Sequence, residues 1–170
     1  MEEKKNILGC FIMAEATIYD KNKTERERQA EETRTNEEFH LFHSYIRGEK
    51  GIDNTLKKLN NEDYGNDLEL ALFQFYIKPI PYLLQNLKEI ESYRKKEKAI
   101  GIPVIVTDEN FFNKSEEERY QFLRRSIFQK LDLLAEVIKK KKLDTNMEKL
   151  KIDLEKIFAA NNAVKIKKHE

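Results

Sequence analysis

Few residues in this chain could do chemistry. His40 and His43 lie three apart on a stretch with helical periodicity, a spacing that can turn two imidazoles toward one metal ion, and Glu37 and Glu38 are close enough to add carboxylates. A complete site needs a second cluster, and the remaining histidine is His169 near the end. The pair therefore reads as boundary histidines, and no metal is expected. Cys10, the single cysteine, could attack only as a thiolate. It falls within an alternating apolar run, on the core face, where a thiol behaves as a small hydrophobe. Neither GxxxxGK nor GxGxxG occurs among the five glycines, so no phosphate cradle is expected. No GxSxG elbow is present, and no carboxylate has the apolar setting that would raise its pKa. The expectation is a chain with no catalytic residues and no cofactor.

What remains is charge. With 37% charged residues, 39% apolar residues and a formal net charge of +1, the 170-residue chain reads as one folded domain with a heavily charged surface. Residues 1–66 hold 11 Lys and Arg against 14 Asp and Glu, and the rest hold 21 against 17, so the two parts would attract different partners. The densest acidic run contains Glu25, Glu27, Glu31, Glu32, Glu37 and Glu38 against Arg26, Arg28 and Arg34. Its ordinary reading is a solvated helix face laced with i,i+4 pairs; its functional reading is a docking surface for a basic protein. Basic groups around residues 94–98, 124–125 and 139–142 could meet phosphates, and residues 72–78 (LFQFYIK) loosely suggest a base-stacking strand. Phe73, Phe75 and Tyr76 do not share one face, however, and the lysine run also serves as a helix end, so the balance is against nucleic acid. No run approaches the ~18 apolar residues of a membrane span. With a short apolar start that meets Glu15 and no cleavage site, a cytoplasmic location is expected.

The elements that would position these groups can be read from periodicity. Residues 7–19 alternate as a strand, with Leu8, Cys10 and Ile12 on one face. Residues 20–35 are almost wholly polar; Thr24 with Glu27 matches a capping box, yet such a helix has nothing to bury, so a mobile insert is the other reading. Phe39, Phe42, Tyr45 and Ile46 then follow helical spacing, interrupted near Gly48 and Gly51 and resumed by Ile52, Leu56 and Leu59. Residues 68–78 are apolar on both faces, which predicts a central strand. Residues 87–94 and 99–107 read as two further strands, the second at an edge or bulged because of Pro103. Ser115 with Glu118 caps a long helix to about residue 141, and Thr145 with Glu148 caps a last helix with a stripe of Met147, Leu150, Leu154 and Ile157, ending in a frayed tail at 162–170. The expected fold is α+β: an antiparallel sheet of about four strands with helices packed on one face, in the order β-α-β-β-β-α-α.

The order of segments carries a resemblance. A helix ends at Leu59-Asn60, followed by Asp63-Tyr64-Gly65-Asn66-Asp67 and an apolar strand; then come Tyr93-Arg94-Lys95-Lys96-Glu97-Lys98, a strand ending in Asp108, Phe111 and Phe112, the helix RYQFLRRSIFQKLDLL from Arg119, and Leu150-Lys151-Ile152-Asp153-Leu154. Over roughly residues 60–158 this resembles immunity protein family 44 of bacterial polymorphic toxin systems. The resemblance implies a cytosolic immunity protein that binds the effector domain of a cognate secreted toxin and blocks it by occlusion, with no catalytic residues. The competing reading is a small nucleic-acid-binding regulator. If the toxin is a nuclease its groove is basic, and Glu31, Glu32, Glu37, Glu38, Asp63 and Asp67 are the expected contacts, with Tyr64 as an aromatic anchor.

Overall fold

The computed structural model of the chain describes residues 7–13, 24–59 and 63–168, with side chains except at residues 28–35 and 161–168. Three strands, β1 (Leu8–Met13), β2 (Leu70–Ile77) and β3 (Ala99–Val106), form one sheet in the order β1-β2-β3, and both pairings are parallel. This corrects the antiparallel, four-stranded expectation. The physical source of the error is residues 87–94. They are apolar enough to read as a strand, but they run along the outer edge of β3, held by an Arg94–Ala99 bridge and by the Glu91 N–H donating to the Gly101 carbonyl at 2.9 Å. Without that strand, residues 78–98 become one connection, long enough for the crossover of about a dozen or more residues that parallel strands require. It carries a short helix, α3 (Pro81–Asn86), with Pro81 in its first turn.

The remaining helices are α1 (Glu25–Arg47), α2 (Ile52–Leu56) with a 3₁₀ turn at Lys57–Leu59, a π-helical turn at Asp108–Phe112, α4 (Glu116–Lys141) and α5 (Met147–Lys168). Register aligns Leu8 with Ala71 and Ile100, Cys10 with Phe73 and Ile102, and Ile12 with Phe75 and Val104. These rows join Phe42 and Ile46 of α1, Leu56 of α2, Leu123, Ile127, Leu131 and Leu134 of α4 and Leu150 and Leu154 of α5 in one core. The opposite rows include Gly9, Phe11 and Met13 of β1, with Phe11 half exposed.

β2 is central, as its two-sided apolar pattern predicts, and Pro103 lies on an edge strand, where a residue lacking N–H costs no ladder bond. Ser115 and Glu118 form both bonds of the capping box, and α4 ends at Lys142 in the left-handed conformation. Thr24 accepts from the Glu27 N–H at 3.2 Å, so the polar stretch is helical from Glu25; residues 14–19 of the expected first strand and 20–23 of the expected insert lie outside the described residues. The last helix is capped one residue later than predicted. Asn146 Oδ1 accepts from the Lys149 N–H at 3.0 Å, while the buried Thr145 hydroxyl has no partner among the described residues.

Cys10 is buried on the core face, and burial, reinforced by the Asp53 carboxylate and opposed by Arg47, pushes its thiol from 9.0 up to about 12. The folded pKa exceeds the unfolded one, so the native state keeps this proton longer; the contribution is complete below pH 9 and is lost between about pH 9 and 12. Over that window the parent chain should lose about 1.4 kcal/mol per pH unit more than Cys10→Ala. Equal slopes in urea unfolding for the two proteins would contradict the assignment. Below pH 9, thiol reagents should label Cys10 only as fast as the chain opens.

Candidate functional site

The sequence-predicted contact residues fall into two groups at opposite ends of the sheet. Asp63, Tyr64 and Asp67 belong to the turn that precedes β2, at the amino ends of the strands. Its geometry is fixed by Gly65 at φ +122°, where an added Cβ would come 2.2 Å from the Asp144 carbonyl. Asp63 is exposed, but its carboxylate accepts from the Gly65 N–H at 2.9 Å. Asp67 accepts from the Asp144 N–H and returns its own N–H to the Asp144 carbonyl at 3.1 Å. Tyr64 is 4% exposed, with its hydroxyl donating to Asp153 at 2.8 Å and Lys149 lying 5.2 Å from its ring centroid. These residues lock the turn to the loop between α4 and α5. Tyr64 is part of the core and presents no face to a partner.

The second group lies at the carboxyl ends of the strands. Glu38 pairs with Lys78 at 3.1 Å, and Lys78 also pairs with Asp108 at 3.2 Å, so α1 is tied to the ends of both β2 and β3. Lys78 adopts a left-handed φ of 46°, which turns the chain sharply out of β2. Below Glu38 the helix descends along the core through Phe42 and Ile46 to Arg47, which donates to the Cys10 carbonyl at 2.6 Å. Above it, the residues from Glu25 to Glu37 continue past the strand ends, about 20 Å of helix at 1.5 Å per residue. Thr24, Glu25, Arg26, Glu27, Asn36 and Glu37 are all exposed. Glu31 and Glu32 lie on this helix, and their side chains are outside the described residues. His40 and His43 are exposed on the same helix, each with its ring about 6 Å from Phe39, at 6.1 and 6.2 Å.

Sequence reasoning missed the acidic neighbours supplied from elsewhere in the chain. Glu109 in the π turn and Glu116, Glu117 and Glu118 at the start of α4 are exposed. Hydrogen bonds from Ser115 hold the Glu118 carboxyl below its usual range. The π turn is rigid: Thr107 and Asn110 cap each other reciprocally, and Arg119 reaches back to the Phe111 and Phe112 carbonyls at 3.1 and 2.9 Å. One end of the sheet is thus a pre-ordered acidic rim with a projecting helix. The opposite end collects exposed Arg94, Lys95, Lys96 and Lys139–Lys142, because the nearby carboxylates of Asp63, Asp67 and Asp144 are turned to backbone N–H groups.

Among the described residues no group of His, Cys, Asp and Glu could hold a metal ion, and no helix is long and apolar enough to cross a membrane. Phe73 and Phe75 are fully buried against the helices, and Tyr76 faces the other way, so β2 offers no stacking platform.

A packed core that presents fixed charge at its two ends is the arrangement of a protein that works through its surface. The chain matches the immunity protein 44 model over residues 10–160 and belongs to that family. It is an immunity protein, and membership implies a toxin protein as partner and suggests an inhibitor that is not an enzyme. No curated protein and no solved structure matches the chain.

Proposed function

We propose that the protein acts in the cytosol as the antidote to a secreted toxin, inserting the acidic helix of α1 into a basic groove of the toxin's effector domain and occluding it. The observation that carries this reading is the course of α1: its first half is exposed at every described side chain, extends beyond the sheet, and carries a net charge of −3 over residues 25–38. A helix polar all round contributes nothing to the core. Its partner is a surface of opposite sign, and a nucleic-acid-cleaving effector has such a groove. Glu37 and Glu38, with Asp108 and Glu109 at the strand ends, would form the base of the contact, and Glu31 and Glu32 its projecting part. A stable complex would bury about 1,200–2,000 Å² in all. Asp63 and Asp67 lie at the other end of the sheet and fall outside this contact.

Charge reversal tests it. Glu27→Lys, Glu31→Lys and Glu37→Lys together should leave the melting temperature nearly unchanged and slow association with the effector domain by about tenfold or more at low salt, with the difference shrinking as salt rises. An association rate equal to the parent's at every salt concentration would remove this surface. The basic amino end supports the second reading, phosphate binding, and a gel shift at low and moderate salt with the isolated protein distinguishes the two.

A further inference from the structure

Between α4, the outer edge of β3 and residues 87–89 lies a cavity of about 310 Å³, lined by Leu87, Val104 and Phe122, by the charged residues Lys88 and Glu89, and by polar groups of four other residues. Two come from α4. Ser126 is 8% exposed, and its hydroxyl makes no hydrogen bond within the described chain. Lys130, one helical turn on and so on the same face, donates to the Glu89 carbonyl at 3.3 Å and, among the described residues, pairs with no carboxylate. The other two are backbone groups of β3. The bonds from the Leu70 and Lys78 N–H groups to the Lys98 and Val106 carbonyls show that even-numbered residues of β3 face β2, so odd-numbered ones face outward. Of these, Ala99 is paired with Arg94, the Gly101 carbonyl with Glu91, and the Ile105 carbonyl accepts from Asn110. Among the described residues no group bonds the Pro103 carbonyl or the Ile105 N–H, both at the cavity, and Pro103 has no N–H to offer.

We propose that this cavity binds a carboxylate carried on a small apolar stem. The donors suit it: an ammonium with hydrogen-bonding capacity to spare, a hydroxyl and a strand-edge N–H converge on one space with apolar walls, and the Glu89 carboxylate, which also lines it, makes no ion pair with the ammonium. Charge-assisted bonds of this kind are roughly twice as strong as neutral ones. The open Pro103 carbonyl two residues before the Ile105 N–H matches the bonds made by one residue of an added parallel strand, so an amide beside the carboxylate can pair with it. Burial draws the Lys130 ammonium below its usual range, with the Glu89 charge opposing, so a bound anion would restore it. This inference does not depend on how the toxin is bound.

The probes are N-acetyl-leucine, its uncharged amide, and acetyl-Ala-Glu-Leu-Ala-amide, followed by amide chemical shifts of the full chain. N-acetyl-leucine should shift Ile105 and Ser126 saturably, and the uncharged amide should bind about tenfold more weakly or not at all. Lys130→Gln should weaken the acid by about tenfold, and Glu89→Gln, which removes a competing carboxylate, should tighten it. Tighter binding of the peptide than of the free acid at these residues would mark the natural source as a peptide segment, and the reverse a free acid; either supports the site. Equal binding of acid and amide, no saturable shift at Ile105 and Ser126, or a Lys130→Gln protein that binds like the parent would overturn it.

Discussion

Replacing Phe111 with alanine is expected to destabilise the protein by about 3–5 kcal/mol, the largest effect of any single substitution considered. Phe111 is fully buried in the π turn, with ring centroids of Phe42, Tyr45 and Phe112 each 5.1 Å away and that of Phe122 at 6.3 Å. Arg119 lies 5.5 Å above its ring while bonding its carbonyl and the Tyr45 hydroxyl. The ring therefore joins α1, the turn after β3 and α4 at one point. The backbone around it is held by the Thr107–Asn110 caps and cannot collapse into the space left behind, so the cavity term adds fully to the lost transfer energy. Urea unfolding should show the midpoint falling by on the order of 2 M if the slope is near 2 kcal/mol/M. A loss under about 1 kcal/mol would mean that the turn does not anchor the acidic rim.

Arg47→Met is expected to cost about 2–3 kcal/mol, although Arg47 lies at the surface. Asp53 is 6% exposed, and Arg47 meets its carboxylate at 2.8 Å while a second guanidinium nitrogen satisfies the Cys10 carbonyl on the outer strand β1. Removing the cation leaves a buried charge and a strand carbonyl with fewer partners, a change worth about 3–5 kcal/mol in fully buried pairs. Here Lys57, 3.3 Å from the same carboxylate, and the 38% exposure of the Arg47 side chain reduce that figure. Adding Asp53→Leu should recover most of the loss, because the uncompensated charge goes with it. A double variant that loses the sum of the two single effects would show the pair to be uncoupled.

Some of this architecture was legible in the residues and some was not, for identifiable reasons. Two-sided apolar alternation marked β2 as central, and Pro103 marked an edge, since both follow from which backbone and side-chain groups are covered. Strand direction leaves no such trace: alternation is identical in parallel and antiparallel ladders, and residues 87–94 supplied a false strand that made short antiparallel turns look sufficient. The first half of α1 has a cap and no apolar stripe, so its sequence alone did not decide between helix and loop. In the fold it extends a helix already nucleated by Phe42, Tyr45 and Ile46, and adding residues to an existing helix is cheap. The candidate surface was half visible. The acidic run stood out by composition, while Asp108, Glu109 and residues 116–118 reach it only through the tertiary fold. Tyr64 was misleading because its acceptor, Asp153, lies 89 residues away. Ser126 and Lys130 gave no signal at all, since a serine and a lysine four apart occur on countless exposed helices.

The most direct measurement mixes the purified protein with a candidate toxin effector domain, recording toxin activity and complex mass together. A one-to-one complex is expected, with activity falling in proportion to the protein added and reaching zero at equivalence. Inactivation by a small fraction of an equivalent, with no complex formed, would show turnover and contradict it.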